Sequence, residues 1–130
     1  MLTAHDLCGA VHRGATATLL ARVVDDGGAP LGPAGIASAS YSIEELSDAS
    51  ATSPVAGHQA IDLEADDVLF ATLQNDDHWL VDELGYNFRH RIDVTDAPAF
   101  PTSGNRCLVR YELRDADGQP VVFRFRLEVL

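Results

Sequence analysis

The chain has 130 residues, of which 46% are hydrophobic and 22% are charged, and its formal net charge is −11 at pH 7. This length and composition fit one domain with a single hydrophobic core, so a second domain is not expected. The negative charge repels phosphate groups. We therefore expect no binding to nucleic acid and none to an anionic membrane.

The charges are distributed unevenly along the chain. Residues 1–85 contain fourteen acidic residues and two arginines, a net charge of −12, whereas residues 86–130 contain six acidic residues and seven arginines, a net charge of +1. This polarity favours contacts in which the basic part of one copy meets the acidic part of another. The simpler interpretation is that the arginines only occupy solvent-facing strand positions.

Two cysteines, Cys8 and Cys107, are too few for a disulfide framework and are not clustered as zinc ligands are. The first residues lack the basic and apolar segments of a signal peptide, and no run approaches the ~20 apolar residues of a membrane span. We therefore expect a soluble protein that is made in the cytoplasm.

The first half of the chain is dominated by β patterns. Residues 1–14 have no regular period and are predicted to form an N-terminal arm, whereas residues 15–130 are predicted to form one domain. Thr16–Val24 is rich in β-branched and apolar residues, which predicts a strand. Ile36–Leu46 alternates between apolar and polar residues, with Ala37, Ala39, Tyr41 and Ile43 on one face, and predicts a half-buried strand.

A change of pattern follows in the middle of the chain. Residues 48–54 are small and polar and predict a mobile loop, and residues 55–63 predict a weaker strand. Residues 64–74 then carry apolar side chains at helical spacing, with three acidic residues in the first turn that complement a helix N-terminus. A short α-helix is therefore predicted at about residues 64–74, and Trp79 and Val81 are expected to begin another strand.

The last third contains the clearest strands. Residues 86–93 alternate, with Tyr86, Phe88, His90 and Ile92 predicted to face the core and Asn87, Arg89, Arg91 and Asp93 predicted to face outward. Phe100 is expected to plug the core. A hairpin follows, in which residues 107–113 and 121–129 alternate and Asp117-Gly118 supplies the turn.

No motif for catalysis or for a cofactor is present. The five histidines include no His-x-His or His-x-x-x-His pair, so a metal site would need ligands from distant segments. His90 is instead expected to occupy an inward strand position with its ring bonded to a neighbour. The paired aspartates lack the ligand spacing of a calcium loop, and neither a phosphate-binding loop nor a nucleophile motif occurs. We therefore expect no enzyme activity, no cofactor and no metal.

Trp79, the only tryptophan, lies in an acidic stretch between Asp77-His78 and Asp82. Three interpretations are open: a platform on which a sugar stacks, an anchor at a protein interface, or a plug of the core beneath the helix. In the first two, Trp79, Asp77 and Tyr86 are the candidate binding residues.

Together these elements predict a mainly β fold, an antiparallel immunoglobulin-like β-sandwich with one short α-helix. The Cys, Trp and Cys spacing of antibody domains is absent, so the prediction concerns the architecture alone. No internal repeat is present.

The C-terminal part resembles a known group of proteins. Residues 100–130, with Tyr111, the Asp117-Gly118 hairpin and the closing sequence VFRFRLEV, resemble the end of immunoglobulin-like β-sandwich proteins in tailed-phage virions, such as tail, baseplate and decoration modules. Residues 67–70 and 85–90 look like short proteins of phage and prophage-like gene clusters.

The resemblance implies a non-enzymatic structural component of a phage or phage-like particle. Its partners would be other copies of itself and other virion proteins, and its location would be the virion. In this interpretation the arm orders on a neighbouring subunit, and a face with Arg89, Arg91, Arg110, Arg124 and Arg126 meets an acidic surface. The alternative is a free-standing binding module that recognises a carbohydrate or a protein around Trp79. A small hydrolase or metal-dependent enzyme is the third possibility.

Overall fold

The computed structural model describes residues 6–25, 27–47 and 51–130. Within these residues the protein is mainly β. The strands are β1 (Asp6–Val11), β2 (Thr18–Ala21), β3 (Ile36–Leu46), β4 (Thr52–Pro54), β5 (Ile61–Leu63), β6 (Leu69–Gln74), β7 (Tyr86–Arg91), β8 (Arg106–Asp115) and β9 (Pro120–Val129). One short helix, α1, comprises Ala65–Val68, and Pro33–Gly35 form a single 3-10 turn.

The strands form two sheets. The larger sheet has the order β1-β9-β8-β3-β4, and β5 also pairs with β3, whereas the smaller sheet has the order β2-β7-β6. Strand β1 runs parallel to β9, and the other named strand pairs are antiparallel. The fold is therefore mainly β with mostly antiparallel strands.

The hairpin and the third strand agree closely with their sequence patterns. Strand β3 has the predicted bounds, and the inward residues of β8 (Cys107, Val109, Tyr111 and Leu113) are all completely buried. Gly118 has a φ of 82°, as the turn between β8 and β9 requires. The exception is Ala37, which is exposed because the pairing of β3 with β8 shifts register between Ile36 and Ser38.

The helix is much shorter than predicted. It ends at Val68, and Leu69–Gln74 continues as β6, which pairs with β7 through Leu69 and Phe88. An apolar run with mixed spacing can form either a helix or a strand. In so short a segment, pairing with a neighbouring strand overrides a weak helix propensity. The predicted strand at 55–63 is likewise reduced to Ile61–Leu63, and the strand predicted at Trp79 is an irregular loop.

The predicted arm is partly a strand. Residues 1–5 lie outside the described residues, but Asp6–Val11 form β1 and pair with Arg124–Val129 of the same chain. Val11 is buried in the core. This part of the arm is thus paired with a strand of its own chain. In the predicted loop, 48–50 lie outside the described residues, and Thr52–Pro54 pair with β3.

Residues of both sheets contribute to one hydrophobic core. Phe88 of β7 contacts Tyr111 of β8 and Phe123 of β9, with ring centroids 4.7 and 4.9 Å apart. Phe100 is completely buried in the same cluster, which confirms its prediction as a core plug. In the part of the chain described, no helix has the length and apolar character needed to cross a membrane.

Candidate functional site: an apolar groove beside an acidic loop

A groove runs between the edges of the two sheets. Its walls are β1 and β2, each of which pairs on one side only within the described residues. The chain leaves the larger sheet at the end of β1 and crosses through residues 12–17 to the edge of the smaller sheet, so the two edges lie side by side. The groove has two adjoining compartments of about 560 and 570 Å³.

Apolar side chains from both sheets line this groove. Cys8, Leu20, Trp79, Val81 and Phe125 border both compartments. These residues come from strands on both walls and from the loop at 75–85. The groove therefore reaches the rim of the hydrophobic core.

Trp79 is held in a fixed orientation beside the groove. Its indole Nε1 donates a hydrogen bond of 2.9 Å to Asp82 Oδ1, and its ring lies 5.7 Å from the ring of Tyr86. Arg22 Nη1 binds the same carboxylate at 2.7 Å and donates to the carbonyl of Gly85 at 3.2 Å. Trp79 is half-buried and outside the core cluster, so its interpretation as a core plug is wrong.

The loop beside the groove is strongly acidic. It carries Asp76, Asp77, Asp82 and Glu83 and contains no Lys or Arg. The hydrogen bond from Trp79, and next the bond from Arg22, hold the pKa of the Asp82 carboxyl well below its usual range. A hydrogen bond from the Tyr86 hydroxyl, 2.8 Å long, lowers the pKa of Asp76. Asp76 and Asp82 therefore stay negatively charged at neutral pH.

The three candidate binding residues predicted from the sequence, Trp79, Asp77 and Tyr86, are not all at the surface. Trp79 and the exposed Asp77 lie on the same loop, but Tyr86 is 2% exposed and its hydroxyl is bonded to Asp76. Tyr86 thus supports Trp79 from below and is not a contact residue for a ligand. Phe70 completes this support, with its ring 5.9 Å from Tyr86.

The predicted arginine face is two separate faces. Arg89 and Arg91 are exposed on the outer face of the smaller sheet. Arg110, Arg124 and Arg126 alternate with core residues of β8 and β9, so they lie on the outer face of the larger sheet. The five arginines are therefore divided between the outward-facing positions of two different sheets.

The outer face of the hairpin is nevertheless basic. Its five arginines are Arg106, Arg110, Arg114, Arg124 and Arg126. Glu112 lies 3.7 Å from Arg110 and 3.4 Å from Arg114, and Arg110 stands directly opposite Arg124. We call this surface the hairpin face. Its five arginines outnumber the two glutamates of the same face, Glu112 and Glu128, on a protein with a net charge of −11.

Large apolar side chains are exposed on the acidic loop and on β1. Leu80 is 91% exposed, Val81 74% and Leu84 62%, and Leu7 on the opposite wall is 37% exposed. Three of the four belong to the acidic loop. Contiguous exposed apolar groups of this kind mark sites of protein contact.

Comparisons of the chain with known protein families, with curated proteins and with solved structures found no match.

Two features escaped the sequence analysis because both depend on contacts between distant segments. Asn87, predicted to face outward, is completely buried, with its side chain bonded to both backbone groups of Val23 and to the carbonyl of Leu31. His58, which no pattern singled out, is 2% exposed and binds Tyr41 at 2.8 Å. No local pattern indicates either contact.

The buried thiol and imidazole groups are poorly suited to reaction. Burial, and next the charge of Glu45, raise the pKa of the Cys107 thiol to about 11, so it stays protonated and is a poor nucleophile at neutral pH. Cys8 is exposed, and both cysteines are free. As predicted, His90 faces the core and bonds a neighbour, the Tyr111 hydroxyl, at 2.7 Å. Among the residues described, no three or more His, Cys, Asp or Glu side chains are grouped to hold a metal ion.

Proposed function

We propose that this protein is a non-enzymatic structural component of a phage or phage-like particle, with an immunoglobulin-like β-sandwich fold and a location in the virion. It acts through contacts with copies of itself and with other virion proteins. The resemblance of residues 100–130 to virion modules supports the location in a phage or phage-like particle. The two sheets share one core, which supports the β-sandwich fold. The observation that carries the contact role is the separation of the basic hairpin face from the acidic loop.

Complementary charges on different surfaces favour a head-to-tail contact between copies. The hairpin face of one copy meets the acidic loop of the next, and because the two surfaces differ, the contact forms a ring or an open array. One exposed ion pair contributes only about 0–1 kcal/mol. The contact is therefore weak in dilute solution and gains strength when it is repeated in an assembly.

Charge reversal on each surface tests this proposal by light scattering across a concentration series. Arg110→Glu reverses the charge of an exposed arginine on the hairpin face and is expected to lower the concentration-dependent increase in mass. Asp77→Arg on the exposed loop is expected to do the same. An equimolar mixture of the two variants is expected to associate, because each supplies the surface that the other lacks.

The matched control is Arg91→Glu, an equal charge change on the outer face of the smaller sheet. It is expected to leave self-association unchanged. An equal loss in this control would attribute the effect to net charge and not to the hairpin face. A monomer at every concentration and salt condition would contradict contact between copies.

A second function is favoured by the groove itself, namely a free-standing binding module. The indole N–H of Trp79 and the hydroxyl of Tyr86 are both bonded within the protein, so the corner offers few polar groups to a sugar. The lining of the groove is mostly apolar. These contacts favour a protein ligand over a carbohydrate.

A further inference from the structure

We infer that the groove between β1 and β2 binds an extended segment of another protein, with apolar side chains at alternate positions and Lys or Arg at its ends. This inference goes beyond the packing of copies and does not depend on it. Four features of the groove carry it: its length, its free strand edges, its apolar lining and its acidic border.

The length and the edges fit a strand. β1 has six residues, and at roughly 3.3 Å per residue its edge extends for about 20 Å. Within the described residues, neither β1 nor β2 pairs with a strand on the side of the groove. A segment laid between them can hydrogen-bond the free backbone groups of an edge, which is a common mode of peptide recognition.

The apolar lining of the groove favours apolar side chains in the bound segment. The two compartments adjoin at Trp79 and Val81, and both are bordered by Leu20 and Phe125. In an extended segment every second side chain points to the same face. Apolar side chains at alternate positions can therefore enter successive compartments while the intervening side chains face solvent.

The acidic loop beside the groove favours positive charge in the bound segment. The loop at 75–85 holds four carboxylates, and Arg22 offsets only the charge of Asp82. Asp77 and Glu83 are exposed on the same loop as Val81, which borders both compartments. A cationic group at the end of the bound segment gains from this field, whereas an anionic one is repelled.

The segment is assigned to another protein, because the described residues offer no unpaired stretch of this pattern. Alternating apolar residues and arginines occur in β7, β8 and β9, and each of these strands pairs on both sides. Releasing any of them would break the centre of a sheet. The complementary segment is therefore expected in a partner and not in a second copy.

A synthetic peptide tests this inference directly. Its central part alternates valine and threonine over about six residues, the length of the β1 edge, and each end carries lysines. Trp79 is the only tryptophan and borders both compartments, so its fluorescence reports binding in the groove. The lysine peptide is expected to change this fluorescence and to bind about tenfold more tightly than the same peptide with glutamate ends, with the difference shrinking as salt rises.

Two matched variants locate the binding site. Val81→Glu changes an exposed residue that borders both compartments and is expected to abolish binding of the lysine peptide. Leu84→Glu makes the same change on the same loop at a residue that borders neither compartment, and binding is expected to persist. Because both side chains are exposed, the fold is expected to survive each change.

Amide hydrogen exchange completes the test. On peptide binding, exchange is expected to slow at amides of β1 or β2 that face the groove. The inference is overturned if the lysine peptide leaves Trp79 fluorescence unchanged, if Val81→Glu binds as well as the wild type, or if protection appears elsewhere. In each case, light scattering of the charge-reversal variants still tests the packing of copies on its own.

Discussion

At the scale of single residues, the most informative group is a pair of histidines in the core. His58 bonds the hydroxyl of Tyr41 on β3, and His90 bonds that of Tyr111 on β8. The rings of Tyr41 and His90 lie 4.9 Å apart, so the two pairs form one cluster. Burial, and next the electrostatic influence of His58, lower the pKa of His90 to about 4. His90 is therefore neutral in the folded protein at neutral pH.

This cluster predicts a loss of stability in mild acid. An unfolded histidine takes up a proton near pH 6.5, whereas folded His90 does so only near pH 4. Between these values acid favours the unfolded state, and the free energy of unfolding is expected to fall by roughly 1.4 kcal/mol per pH unit. Above about pH 6.5 the contribution of His90 is fully present. Urea unfolding at a series of pH values measures this slope.

Two histidine variants serve as controls for that slope. His90→Gln removes the titrating group and is expected to flatten the slope between pH 6.5 and pH 4, while His78→Gln, on the exposed loop, is expected to keep it. Apart from the two histidines, the titratable groups in or beside the cluster are Tyr41, Tyr111 and Asp93. The pKa values of the tyrosines are raised and that of Asp93 is lowered, so none titrates in this window. An unchanged slope in His90→Gln would refute the assignment.

At the scale of elements, β1 is held in place by contacts with its own chain. Its parallel pairing with β9 buries Val11, and residues after it remain tied to the end of the chain through the bond from the Arg13 amide to the carbonyl of Leu130. The strand is thus held at both its edge and its exit. The sequence predicted an arm here because the segment has no regular alternation.

The pairing of β1 predicts protection in the isolated subunit. In dilute protein, the alternate amides of β1 that are bonded to β9 are expected to exchange more slowly than the intervening amides of the same strand, which face the groove. Hydrogen exchange followed by mass spectrometry or NMR measures this difference. Equal, fast exchange along residues 6–14 in dilute protein, with protection only in an assembly, would instead support docking on a neighbour.

Elements were predictable where the local pattern and the tertiary contacts agree. The hairpin β8–β9 has strict alternation and a turn glycine, so its register and its buried face follow from the sequence. The segment at 64–74 lacks that agreement, because its apolar spacing allows a helix while β7 offers a strand partner. The groove could not be predicted, because its walls are brought together only by the crossing of residues 12–17 from one sheet to the other.

At the scale of the whole molecule, the acidic loop at 75–85 serves two contacts. It borders the groove through Trp79 and Val81, and its exposed carboxylates face the hairpin face of another copy in the proposed packing. A basic segment in the groove neutralises the same carboxylates. Binding of the segment and packing of copies are then linked, and each weakens the other by the same factor.

This linkage predicts competition. Adding the lysine peptide is expected to lower the average mass that light scattering measures at a fixed protein concentration, because it reduces the attraction between the loop and the hairpin face. The glutamate peptide is expected to have no such effect. In Val81→Glu, which binds no peptide, the lysine peptide is expected to leave the mass unchanged, and this control separates occupation of the groove from general screening by charge. An equal fall in mass in wild type and variant would show that the two contacts do not share the loop.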